Sequence, residues 1–232
     1  MSDLFLAGRW VDASAAAGQL LAVKHGTQYM DISLNEVRAW IAFARGNVSG
    51  AFDELQLAVD RARAIVEPQA LLRTLAGAAR LHAVAGRTDD AAAFVDELER
   101  ARSATSNAFV DWWPLSLAVA LETLGRSDEL EDRVAGAAAS RWLDAARAYA
   151  SSDFAGAADL LDEIGSLPDE ALTRLRAAEA LAGEGRASEA REQLDRAITF
   201  FRAVAATAWR APATRFRWPT SFMRSTSRSM RR

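Results

Sequence analysis

The chain has 232 residues, half of them hydrophobic and a quarter charged, with a formal net charge of −3 and no cysteine. A disulfide framework, a thiol nucleophile and a thiolate metal site are thereby excluded. The charge is unevenly spread: Ala206 to Arg232 holds seven arginines and no acid, so the preceding body sets 21 basic against 31 acidic side chains, a net of −10. An acidic body argues against nucleic acid as the partner of the folded part.

The start, "MSDLFLAGRW", has an acid early and only a short apolar run, so no secretory signal is visible. The longest apolar run, Pro114 to Leu121, is too short to span a bilayer. A cytoplasmic location is expected.

Along the chain one short pattern returns. "GRWVDA" at Gly8, "GNVSGA" at Gly46, "GRTDDA" at Gly86, "GRSDEL" at Gly125, "SDFAGA" at Ser152 and "GRASEA" at Gly185 share a small residue, followed five positions later by alanine or, once, Leu130. Seven positions before the small residue stand Ala39, Ala79, Ala118, Ala145 and Ala178. Nine positions after it stand Ala17, Leu55, Val95, Val134, Leu161 and Leu194. Three columns agreeing in one register mark an internal repeat. The unit they predict is a pair of antiparallel helices. Glycine ends the first helix in a left-handed conformation, polar residues open the second near its positive N-terminus, and the alanines let the two approach closely.

Further helix starts are expected at Glu67-Pro68, at Trp113-Pro114 and at "SLPDE", where Ser166 caps, Pro168 sits in the first turn and Asp169 closes a capping-box-like pair. Successive anchors lie 38, 40, 39, 27 and 33 residues apart. The unit from Gly125 to Ser152 is the least regular, and a shortened helix is expected around Asp128 to Ala137.

This pattern resembles the tetratricopeptide family, whose unit is roughly 34 residues, although the spacing is irregular and most of the aromatic and proline signatures of strict members are missing. From Arg141 to Trp209 the chain also looks like the C-terminal repeat region of large bacterial signalling ATPases of the cyclase-linked and transcriptional-regulator type. The most family-like piece is "AITFFRAVAATAW", Ala197 to Trp209. The resemblance implies an all-α, right-handed superhelix of five to six hairpins over residues 1–204. It implies no catalytic residues and no cofactor, and a protein or peptide held in the groove lined by the first helices. Family groove positions fall on Glu36, Trp40, Arg73, Arg80, Trp112, Glu122, Trp142, Tyr149 and Glu179. Aromatics and arginines make most binding hot spots; the alternative for the tryptophans is burial between repeats.

Residues that would carry other chemistry are few. The single lysine, Lys24, lies in "GQLLAVKHG", which lacks the second glycine and the hydroxyl of a phosphate loop. His25 and His82 fall in different repeats with no carboxylate at metal-ligand spacing, and His82 reads as a packed histidine. Asp89-Asp90, Asp162-Glu163 and Asp169-Glu170 read as solvated charge near helix starts or exposed faces.

Two expectations concern the ends. Only seven residues precede Gly8, too few for a full helix to cover Ala13 and Ala17, so the array is expected to start upstream or to fray there, leaving an apolar face for self-association. After Trp209, Pro212 and Pro219 and the loss of any apolar stripe predict a basic, disordered tail over residues 205–232. It is read as the product of a shifted reading frame, as a true basic arm for nucleic acid or an anionic surface, or as a variable terminus.

Overall fold

The computed structural model describes residues 2–23, 28–65, 67–103 and 113–209, and over these the chain is all-helical, with no strand. Twelve α-helices follow one another: α1 (Ser2–Leu6), α2 (Trp10–Ala22), α3 (Gln28–Ala44), α4 (Val48–Ala64), α5 (Pro68–Val84) and α6 (Thr88–Ser103), then α7 (Trp113–Thr123), α8 (Leu130–Arg133), α9 (Arg141–Ala150), α10 (Phe154–Ile164), α11 (Leu167–Gly183) and α12 (Ala187–Ala203). Single 3-10 turns precede α8 (Ser127–Glu129) and follow α12 (Thr207–Trp209).

Local chemistry explains the boundaries. Proline stands at the start of α5, α7 and α11, where its missing N–H is not needed. The side chains of Asn47, Asp153 and Ser140 accept from the backbone N–H of Gly50, Gly156 and Leu143, capping α4, α10 and α9. Each of the six anchors has a positive φ, 73° at Gly8 and 67° at Ser152 among them. Around Gly86, for example, Gly86 N donates to Ala83 O and Arg87 N to His82 O, the paired bonds that close a left-handed helix end.

The repeat columns become the helix contacts. Ala39, Ala79, Ala118, Ala145 and Ala178 on the first helices are wholly inaccessible, as are Ala13, Ala51, Ala91, Ala157 and Ala190 on the second. Leu55, Val95, Val134, Leu161 and Leu194 fill the next turn and are no more than 4% exposed. In the irregular unit the second helix shrinks to a 3-10 turn and the four residues of α8. Helix α9 then packs directly against α7, which accounts for the 27-residue spacing.

The first and last hairpins also touch. Trp10 meets Phe200 edge-on at 5.6 Å, and Trp209 packs on Phe43 at 5.8 Å and Phe201 at 5.1 Å. A Cβ added at Gly8 would lie 3.0 Å from Phe200, so this turn needs glycine for close approach as well as for its φ. The apolar face of α2 is therefore covered, contrary to expectation: Trp10, Ala13 and Ala17 are at most 3% exposed. Short α1 supplies part of the cover, its Phe5 ring stacked on Trp10 at 5.5 Å, and the last hairpin contributes Phe200.

Packing continues past residue 204, the expected end of the repeat domain, since Ala206 and Trp209 are buried. Residues 210–232, with the seven arginines, lie outside the described residues, as do Lys24 and His25.

Candidate functional site

A line of charged and aromatic side chains is brought together from helices far apart in sequence. Glu36 and Trp40 lie one turn apart on α3, and Arg73, Thr74 and Arg80 come from α5. Thr74 Oγ1 donates to Glu36 Oε1 at 2.7 Å, and Arg73 Nη2 lies 3.2 Å from Glu36 Oε2. Burial pushes the Glu36 carboxyl up from its ordinary value; the charge of Arg73 and the bond from Thr74 oppose that shift.

Arg80 is the centre of the arrangement. Its guanidinium lies 5.0 Å from the ring centre of Trp40, a cation–π distance. Its Nη1 donates to Asp169 Oδ1 at 2.5 Å, across 89 residues of sequence, while Ser166 Oγ donates to Asp169 Oδ2 at 2.6 Å. Both members of the pair are almost fully buried, and Arg80 Nε has no hydrogen-bond partner.

On the far side of Arg80, Arg176 gives both Nε and Nη2 to Glu122 Oε1, at 3.1 and 2.7 Å, with Glu179 Oε2 3.7 Å from its Nη1. Tyr149 is buried beside them. Desolvation, with the charge of Glu122 adding to it, raises its hydroxyl above the normal tyrosine range, against the pull of Arg176 and Arg80. It stays neutral at physiological pH.

Two cavities flank this line of side chains. One of about 70 Å³ lies between α1–α3 and α11–α12, with Phe5, Trp10, Trp40, Phe200 and Trp209 in its wall. The other, of about 210 Å³, is lined by Glu122, Tyr149, Thr173, Arg176 and Glu179. Arg80, Leu172 and Trp209 border both.

Of the nine positions expected to face a groove, Glu36, Trp40, Arg80, Glu122, Tyr149 and Glu179 border these cavities, and Arg73 is joined to them through Glu36. Trp142 is not brought there; it is half-buried against the core of the middle hairpins. Trp112 lies outside the described residues.

One sequence reading is overturned. Asp169 and Glu170, expected to be solvated, are 6% and 9% exposed. Asp169 is drawn inward by Arg80, and Glu170 accepts from Arg174 Nε at 2.7 Å and Arg196 Nη2 at 2.6 Å. The Ser166 hydroxyl bonds the Asp169 carboxylate and makes no cap to the backbone. His82 is packed, between Phe52 at 4.7 Å and Phe94 at 5.2 Å. Asp89-Asp90 and Asp162-Glu163 are exposed.

Sequence reasoning missed Asp169, Leu172, Thr173, Arg176 and Trp209 as members of the site. The first four recur at helical spacing on one face of α11, a signal that was available. What they face was not.

The charges of this surface are tied to one another across helices. Among the described residues no three His, Asp or Glu side chains converge as a metal-ligand set, and no helix is long and apolar enough to cross a membrane. Compared with protein-family models, curated proteins and solved structures, the chain gives no match.

Proposed function

We propose that this chain is a divergent tetratricopeptide-like module of five to six hairpins that binds a protein or peptide on its inner face and performs no catalysis itself. In this reading it is one part of a larger bacterial signalling ATPase or cyclase-linked regulator, located in the cytoplasm, where the repeats relay the presence of a partner. The observation that carries the interaction role is the convergence of Glu36, Trp40, Arg80, Glu122, Tyr149 and Glu179, from five separate helices, on one inner surface. Repeat arrays use such surfaces for extended partners, and Trp, Tyr and Arg supply the anchors.

A displayed peptide library selected against the full chain tests this. Selected peptides should lose at least about ten-fold in affinity on Trp40→Ala or Glu36→Ala, roughly the 1.4 kcal/mol that defines a meaningful contact. The melting temperature should fall by only a few degrees. If binders depend instead on the outer helices α4 and α6, the reading fails. Binding of DNA or anionic vesicles that is salt-sensitive and vanishes on truncation after Trp209 would favour the basic arm as the functional element.

A further inference from the structure

The cavity between α1–α3 and α11–α12 is walled mainly by rings: Phe5 from α1, Trp10 from α2, Trp40 from α3, Phe200 and Phe201 from α12, and Trp209 from the final turn. Phe5, Trp40 and Phe200 belong to the core cluster here, yet each is only half-buried. Glu36, Arg80 and Asp169 share the wall, and their charges are already balanced. Asp169 pairs with Arg80, and Glu36 with Arg73. What remains open is hydrogen bonding. Glu36 Oε2 and Arg80 Nε, an acceptor and a donor on side chains only 9% and 5% exposed, make no hydrogen bond among the described residues. Buried polar atoms are nearly always bonded, and two orphans of opposite kind on residues of one wall suit a group that donates to one and accepts from the other. We infer that this cavity binds a small uncharged aromatic molecule whose one hydroxyl or amide meets Glu36 and Arg80, a phenol being the simplest form.

Size and polarity set that class. The cavity measures about 70 Å³. At roughly 10–15 Å³ for each water it takes about five, and five waters of liquid fill roughly the 150 Å³ that suffices for benzene. One ring fits, while a sugar chain or a nucleotide does not. Ring walls favour an aromatic guest, which they meet edge-on or offset-stacked. A carboxylate or an ammonium would carry a charge into a wall whose own charges have partners, and burying an unpaired charge is costly. Among the described residues the cavity is partly open to solvent, so the guest enters without unfolding the stack.

The site is distinct from the partner surface proposed above, and a chain that binds a peptide but no phenol loses this inference alone. Because the wall comes from both ends of the described chain, an occupant braces α1 and α3 against α12 and the Trp209 turn. A ligand that binds only the folded form stabilises the contacts around it.

The probe is 4-fluorophenol, titrated into the full chain and followed by fluorine NMR. Saturable binding is expected, with a Kd on the order of 100 μM for so few atoms. The analogue without the hydroxyl, 4-fluorotoluene, should bind about ten-fold more weakly, the size of one lost hydrogen bond to a buried group. The charged probes 4-fluorobenzoate and 4-fluorobenzylammonium should not bind at millimolar concentration. Hydrogen exchange should slow in α1, α3 and the Trp209 turn on adding 4-fluorophenol, and stay unchanged in α8 and α9. Absence of saturable binding to the wild type overturns the inference, as does equal binding of either charged probe.

Two variants locate the ligand. Glu36→Ala should erase the preference for 4-fluorophenol while 4-fluorotoluene still binds, which also shows that the variant is folded; a preference left intact overturns the role given to the hydroxyl. Leu172→Trp adds bulk to the same wall and should abolish binding of both probes, with circular dichroism confirming its helicity. Undiminished binding overturns the inference. If Leu172→Trp fails to fold, the wild-type exchange map decides the same point, since protection gained outside α1, α3 and the Trp209 turn overturns it.

Discussion

The middle of the stack, α5 to α10, and the seam where α1–α3 meet α11, α12 and Trp209 are built from different side chains. The middle is mainly alanine, leucine and valine, with Trp113, Tyr149 and Phe154 as its buried aromatics: Leu75, Ala79, Val95, Leu98, Leu117, Ala118 and Leu161 are wholly inaccessible and pack between helices near one another in the chain. The seam is aromatic and charged, with Trp10, Phe200, Phe201 and Trp209 around a cavity and the Arg80–Asp169 pair beside it. Small residues bring neighbouring helices close at little loop-closure cost. Large rings and a buried ion pair join elements whose separation the local pattern does not set. The first region is held by contacts between neighbouring helices, while the second joins the two ends of the described chain.

Truncating one large side chain in each region gives the largest effect and the sharpest test of that difference. Leu98→Ala in the middle should lower global stability by about 3 kcal/mol, as buried leucine truncations do, seen as a shifted denaturant midpoint and weaker hydrogen-exchange protection throughout α5–α7. Phe201→Ala at the seam removes more apolar surface, yet its loss should concentrate in α1, α2, α12 and the Trp209 turn. Protection lost evenly across the chain on Phe201→Ala would show that seam and middle are one cooperative unit.

A smaller effect is expected from pH at His82, which sits on α5 between the two regions. Burial lowers its pKa from the ordinary 6.5, while the Asp90 carboxylate 3.3 Å away opposes that shift and Arg87 adds to it. A lowered folded value means that the neutral ring is favoured in the native state. The stability it contributes is present above 6.5 and is lost as pH falls through the folded pKa. Thermal melts between pH 7.5 and 5 should therefore show a decline that His82→Phe, an aromatic in the same Phe52–Phe94 sandwich, flattens. An unchanged slope in the variant would assign the decline to other groups.

The two regions differ in the same way in how far the sequence foretells them. The hairpins were legible because glycine turns and alanine columns are local: Gly86 and Ala79 lie seven residues apart and serve the same helix end. Of the positions that the family resemblance named, Glu36, Trp40, Arg80, Glu122, Tyr149 and Glu179 border the two cavities. What covers these positions was not legible. Asp169 carries the local marks of a helix start, and nothing within a helical turn of it distinguishes a solvated carboxylate from one that pairs with Arg80, 89 residues away. The aromatic content of the last segment, Phe200, Phe201 and Trp209, was visible as composition, but its partners Trp10 and Phe43 belong to the other end of the chain.

The smallest expected effect comes from two residues that break the glycine rule in the same manner, one in each region. Ser152 in the middle and Ala205 at the seam are the non-glycine residues with positive φ among the described residues, at 67° and 56°. Both close helix ends with the bonds the glycines make: Asp153 N donates to Ala148 O, and Ala206 N to Phe201 O. A side chain in this conformation costs roughly 1–2 kcal/mol, and glycine's extra freedom in the unfolded chain returns part of that. Ser152→Gly and Ala205→Gly should each therefore stabilise by about 0.5–1 kcal/mol. The readouts separate. Ser152→Gly lies in the neighbour-to-neighbour stack and should raise the denaturant midpoint of the whole chain. Ala205→Gly precedes Trp209 and should leave that midpoint nearly unchanged, while slowing hydrogen exchange in the Trp209 turn and α1. If Ala205→Gly instead raises the global midpoint as much as Ser152→Gly, the seam is part of the main folding unit, and opening it requires unfolding the stack.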